Sequence, residues 1–220
     1  MATPDLTTWD GQIEAIQNWL VRADLAEMAP AFIQVAEAQL NRELRVRDML
    51  TRVHCPSDVN FPEFISLPND FLETYTLVIN PDGLGPESAL EYVNQRDAQS
   101  LKANRISGPV RYYSIVDNVF ELLPTPTTAL DLKLTYYARI PALTAAAPRN
   151  WLSIKSPDLY LFAALAEAAP YMNDDSRTQV WITRRAKLVE DMHVESERSM
   201  RPRTQLVSRA KPLDGISGFR

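Results

Sequence analysis

Two helix-forming blocks, about residues 8–52 and 157–200, enclose a stretch with the pattern of strands and turns, and this layout limits the fold more than any motif. A helix with one apolar face has to cover it. The two blocks are therefore expected to close on each other, with the strand region carried as an insertion. The expected fold class is α+β: a helical bundle of about four helices, an inserted small antiparallel β subdomain and an extended C-terminal tail. By position, residues 1–60 supply the N-terminal helices of the bundle, 61–149 the β subdomain, 150–200 the C-terminal helices and 201–220 the tail.

The first block starts after Asp10-Gly11, with Ile13, Ile16 and Leu20 at helical spacing. A second helix is expected from Asp24 or Glu27, with Pro30 in its first turn. Ala29, Phe32, Ile33, Ala36, Leu40 and Leu44 form its apolar stripe, and the alanines imply close helix contact. Glu37, Arg42, Glu43, Arg45, Arg47 and Asp48 read as the opposite, charged face, and His54-Cys55-Pro56 as the end of the helix. Among these, Arg42, Arg45, Arg47 and Asp48 are the candidate subunit–subunit surface.

From Phe61 to Pro141 the period shortens. Residues 64–67 and 74–80 read as strands, 94–103 as a short exposed helix, and 111–116 and 119–123 as a hairpin turning at Asp117-Asn118. Leu132, Leu134 and Tyr136 alternate with Asp131, Lys133 and Thr135, as in a half-buried strand. About four or five strands are expected. Residues 141–150 return the chain to the bundle. Ser156-Pro157-Asp158 starts a helix, with the serine hydroxyl as cap. Tyr160, Glu167, Tyr171 and Asp175 form a polar ridge on it. Residues 173–176 break that helix, and the last one, to Met200, is expected to run antiparallel to it.

Composition narrows the functional classes. Hydrophobic residues at 45% and charged residues at 23% are those of a folded globular protein. Sixteen prolines against six glycines mark the connections as rigid. The net charge is −5, yet residues 198–220 hold six basic residues to one acidic, so the tail is about +5 and the body about −10. That asymmetry suggests a docking arm. Cys55 is the single cysteine, so no internal disulfide is expected. The N-terminal residues lack the order of a signal peptide. No apolar run reaches the ~20 residues of a membrane helix.

No residue set carries a reaction. His54 and Cys55 are neighbours, and neighbours on a strand point apart, which is unsuited to a thiolate–imidazole pair. His193 and Glu197 stand at i, i+4, but two ligands do not make a metal site. Asp174-Asp175 sits in a helix–helix turn. Gly83-Leu84-Gly85-Pro86 lacks the lysine and following helix of a phosphate loop. Tyr112, Tyr113, Tyr136 and Tyr137 have few Lys or Arg around them and read as packing rather than as a stacking platform. No catalytic residue, cofactor or metal is expected.

In order along the chain stand Asn18-Trp19-Leu20-x-Arg22-x-Asp24-Leu25, Phe32-Ile33…Ala36-Glu37…Leu40-Asn41-Arg42-Glu43-Leu44-Arg45-Val46-Arg47 and Leu67-Pro68-x-Asp70-Phe71-Leu72-Glu73. Gly108-Pro109-x-x-Tyr112, Leu123-Pro124-x-Pro126 and Leu134-x-Tyr136-Tyr137-Ala138-Arg139-Ile140-Pro141-x-Leu143 follow. The set closes with Asn150-Trp151-Leu152 and Pro157-Asp158-x-Tyr160-Leu161-Phe162…Glu167-Ala168-x-Pro170-Tyr171. This ordered set, over roughly residues 15–195, resembles the phage head-to-tail adaptor (connector) proteins. The resemblance implies a virion structural protein at the head–tail interface, assembled in the host cytoplasm. It further implies a ring of twelve copies under the portal protein, a downstream tail protein (nozzle or stopper), and a channel through which the genome DNA passes without sequence-specific binding. It also implies a C-terminal extension reaching into the portal ring.

The tail suits that role. Arg201, Arg203, Arg209, Lys211 and Arg220 are its basic residues, and Leu206, Val207, Leu213, Ile216 and Phe219 are spaced as anchors. Such a segment gains order on binding, its charges steering it to an acidic groove. Acidic side chains lining a channel would repel the DNA backbone and ease its passage. Two other readings remain open: a scaffolding or regulatory module that binds peptides through the β subdomain, and a hydrolase whose pocket unites His54 with carboxylates of the last helices.

Overall fold

The computed structural model describes residues 3–21, 25, 27–79, 87–104, 107–171 and 176–201. Helix α1 (Trp9–Leu20) begins at Thr8, whose Oγ1 accepts from the Gly11 amide at 3.2 Å. Asp10-Gly11 thus lie in the first turn rather than before it. Gly11 is required there, since a Cβ would stand 1.9 Å from the Asp5 carbonyl oxygen. Helix α2 (Ala29–Glu43) has Pro30 in its first turn and buries Ala29, Phe32, Ile33, Ala36 and Leu40, the expected stripe.

Helix α2 ends at Glu43, eleven residues before His54 of the expected break at His54-Cys55-Pro56. Leu44 and Val46 are both buried, a two-residue period that no helix face can satisfy. A 3-10 turn, Arg47–Met49, then leads into strand β1 (Leu50–Pro56). The remaining strands are β2 (Phe64–Ser66), β3 (Phe71–Ile79), β4 (Ser88–Ala89), β5 (Glu91–Tyr92), β6 (Tyr112–Val116), β7 (Val119–Leu123) and β8 (Asp131–Ala138). Helix α3 (Gln95–Ala103) lies between β5 and β6, capped by the Asn94 side chain.

Eight strands among the described residues exceed the expected four or five. The surplus comes from β1 and from the two-residue β4 and β5, too short for any periodic signal. They form two four-stranded sheets, ordered β1-β8-β3-β4 and β2-β7-β6-β5. Every pairing is antiparallel except β5 with β6. The hairpin turns at Asp117-Asn118 as expected, Asp117 taking φ 56°. The two sheets enclose a core that includes Cys55, Ile65, Leu77, Phe120, Leu122, Leu132, Leu134 and Tyr136.

Helices α4 (Trp151–Lys155), α5 (Pro157–Ala168) and α6 (Ser176–Met200) complete the chain, with a 3-10 turn at Ala169–Tyr171. Residues of α1, α2, α4, α5 and α6 share one core, so the distant helical blocks do close on each other. Arg184 lies over the Phe162 ring, and the Ser156 hydroxyl meets Met192 Sδ, which makes α5 and α6 antiparallel. That hydroxyl does not cap α5 as expected. The chain is therefore mixed α+β, with six helices among the described residues and small, mainly antiparallel sheets. Leu72 and Tyr137 pack against the helical core, whereas their neighbours Phe71 and Tyr136 face the sandwich. One sheet is thereby the layer between helices and second sheet.

Candidate functional site: a clamp and two charged flanks

Reactive side chains stay apart. On β1, Cys55 faces the core opposite Leu132, and burial, then the Asp131 carboxylate, push its thiol above its ordinary value. His54 faces outward opposite Lys133, its Nδ1 3.6 Å from Asp131 Oδ2. An open depression of about 350 Å³ is lined by residues 54–58 and 64–66, and it draws no carboxylate from the last helices. Among the described residues no three His, Cys, Asp or Glu stand together as a metal site. No helix there is long and apolar enough to cross a membrane. The paired tyrosines are packing: Tyr113 and Tyr136 are buried, and Tyr136 donates to Asp70 Oδ1 at 2.9 Å. Burial and that carboxylate push the Tyr136 phenol up to about 12.

The densest polar construction is structural. Glu37, expected on the charged face of α2, is buried. Its Oε1 accepts from the Leu143 amide at 2.7 Å and from the Tyr160 hydroxyl at 2.9 Å. Tyr160 in turn accepts from Asn150 Nδ2 at 2.6 Å, and that amide also donates to the Pro141 carbonyl at 2.6 Å. One turn along α2, Asn41 Oδ1 accepts from the Ile140 amide at 2.8 Å. Arg139 donates its amide to the Asp70 carbonyl at 2.7 Å. Burial holds the Glu37 carboxyl above its ordinary value against the pull of its two donors, and burial and Glu37 raise the Tyr160 phenol. These contacts tie α2, α5 and the segment leaving β8 into one block. Glu37, Asn41, Asp70, Arg139, Asn150 and Tyr160 all belong to the ordered motif set, whose spacing is that of a clamp.

The candidate subunit surface divides. Arg45 bonds Glu73 Oε2 at 2.8 Å and the Asn41 and Leu44 carbonyls, so it is spent within the chain. Asp48 pairs with Lys155 at 2.7 Å, and Lys155 also reaches Glu195 at 3.0 Å. Burial works against the Lys155 ammonium, but the two carboxylates outweigh it and leave it raised. Arg42 and Arg47 are exposed, their side chains without a partner among the described residues. Arg185, from α6, takes Glu43 in two bonds of 2.8 and 2.9 Å.

Of the candidate tail residues, Arg201 is described and pairs with Glu197 at 3.4 Å. Arg203, Leu206, Val207, Arg209, Lys211, Leu213, Ile216, Phe219 and Arg220 lie outside the described residues, as do Asp174-Asp175 and Gly83–Pro86. Tyr160, expected on a polar ridge, is fully buried. Sequence reasoning missed the clamp because each member is polar and single. The available signal was Asn150-x-x-Ser153, which forms a reciprocal cap at the start of α4.

A family model described as SU10 adaptor protein matches residues 7–207. No curated protein matches the chain.

Proposed function

The chain belongs to the SU10 adaptor protein family, a family of phage structural adaptors, and on that premise we propose the role it plays at the head–tail interface. It forms a ring below the portal protein, twelve copies by resemblance, and joins the capsid to the tail. Residues 201–220 reach into the portal. The next tail protein, a nozzle or stopper, binds the opposite face. DNA passes through the lumen without base-specific contacts.

The observation that carries this reading is the clamp. The buried polar side chains Glu37, Asn150 and Tyr160 are used to hold α2, α5 and the segment leaving β8 together. A rigid block of fixed shape is what identical, repeated contacts in a closed ring require. Arg42 and Arg47, exposed and without a side-chain partner among the described residues, are the members of the expected subunit surface left for a neighbouring copy. The basic tail, with five basic residues to one acidic over residues 201–220, supplies electrostatic steering toward an acidic groove.

Mass measurement of the full chain, alone and with portal rings, tests the proposal. A complex of defined stoichiometry on the portal, lost on deletion of residues 202–220, is the expected result. A chain that stays monomeric and ignores portal rings overturns it.

A further inference from the structure

We propose that neighbouring copies meet head to tail through two unlike flanks of the bundle: the outer face of α1 on one copy and the outer face of α6 on the next. This rests on the ring reading above and names the contact within it.

Helix α5 is the centre of the bundle. Tyr160 points from it to α2 through Glu37. Phe162, two residues and about 200° further round the helix, lies beneath Trp19 of α1, with ring centroids 5.6 Å apart, and beneath Arg184 of α6, at 5.4 Å. Helices α1 and α6 thus lie to either side of Phe162, on the side of α5 away from α2, and present two separate flanks. Such an arrangement suits a cyclic assembly, in which one flank of each copy faces the opposite flank of the next.

The flanks carry unlike charges at one level, Glu14 of α1 and Lys187 of α6. On α1, Asp10 and Glu14 are exposed one turn apart and have no hydrogen bond or ion pair among the described residues. On α6, Arg184 and Lys187 are exposed one turn apart. Arg184 is stacked on Phe162 without a carboxylate partner, and Lys187 has no partner among the described residues, Asp191 included. Like charges one turn apart weaken a lone helix, and among the described residues no ion pair answers Glu14 or Lys187. Arg185, by contrast, is neutralised by Glu43.

Each stripe also ends in an exposed valine. Val21 follows Glu14 by seven residues and is 77% exposed; Val180 precedes Lys187 by seven and is 51% exposed. Both spacings correspond to about 10.5 Å along a helix axis. The two valines are at the same end of the bundle, because Arg177 Nη1 donates to the Trp19 carbonyl at 3.3 Å and so joins the end of α1 to the start of α6. Rotation about a ring axis preserves height when the bundle stands along that axis. Val21 then meets the neighbour's Val180 and Glu14 the neighbour's Lys187, while Arg184 comes level with Gln17 and Asp10 with Asp191, so Glu14–Lys187 is the attractive charge pair of the contact. Val21 moreover holds φ 56°, a conformation costly for a β-branched side chain. Backbone strain of this kind clusters at functional sites, though here it also closes α1 as its cap.

The test is a charge exchange in the full chain, read as assembly by mass measurement with portal rings present. Glu14→Lys alone and Lys187→Glu alone are each expected to weaken assembly about tenfold or more, and the double variant to restore it. Both positions are exposed, so melting temperatures stay at the unaltered value and loss of folding is separable from loss of contact. If neither single variant weakens assembly, or the double variant fails to recover it, the contact is elsewhere, while the ring reading stands. If the unaltered chain forms no oligomer alone or on the portal, the ring reading itself falls, and this contact with it.

Discussion

Glu37 is a carboxylate placed where its charge is expensive, and its two donors decide how much of that cost is recovered. Removing the Tyr160 hydroxyl leaves Glu37 with the Leu143 amide alone and takes one acceptor from Asn150. Tyr160→Phe is expected to lower stability by about 1–3 kcal/mol, the range for a buried polar group stripped of a partner. Urea unfolding measures it; no change would mean that water reaches the site. The raised carboxyl also fixes a sign. In the folded chain Glu37 binds its proton more tightly than when unfolded, near 4.5. Stability from this group is therefore full below 4.5 and is lost as pH climbs through the folded value. Glu37→Gln is insensitive to that titration, so the variant should gain on the unaltered protein between pH 4 and pH 7. A constant difference across those pH values would remove Glu37 as the titrating group. None of this was legible in the sequence, since Glu37 lies among charged residues and only its place beside Ile33, Ala36 and Leu40 set it apart.

At the scale of the element, legibility followed length. The stripe of α2 and the alternation of β8 each repeat over several residues, so their burial could be read directly. In the sequence, strand β1 reads as part of the preceding helix because Leu40 and Leu44 continue the helical period by one step. Only Leu44, Val46, Thr51, Val53 and Cys55 together show the change to alternation. Helix α4, five residues long, offers too few turns for a period at all. The ends of elements hold a prediction of their own. Val21 closes α1 in the left-handed region, its amide bonded to the Gln17 carbonyl at 3.3 Å. Glycine is the residue favoured at that position, and a β-branched one pays about 1–2 kcal/mol for it. Allowing for the extra chain entropy that glycine loses on folding, Val21→Gly should stabilise the monomer by about 0.5–1 kcal/mol. The same change deletes the apolar end of the α1 stripe and should weaken assembly. A rise in the urea midpoint without a loss of assembly would assign Val21 no part in the contact.

At the scale of the whole molecule, the question is whether bundle and sandwich are one body or two. Each has its own core, which by itself would permit separate unfolding. Three features work against separation. Strand β8 sends Tyr136 into the sandwich and its neighbour Tyr137 toward the bundle, so one strand serves both cores. The segment after it is held on α2 by Asn41 and Glu37. Arg45, just past the end of α2, binds Glu73 of β3. Losing either core exposes the other face of the shared sheet and orphans the clamp's buried groups, a penalty of several kcal/mol. That exceeds what a sandwich of short strands could afford alone. Calorimetry should accordingly show one transition, with helical and tyrosine signals changing together. Asn41→Ala combined with Tyr160→Phe should pull the two signals apart. Two transitions in the unaltered chain would show that the layers are merely adjacent, and the fixed angle on which ring closure depends would then have to come from neighbouring copies instead.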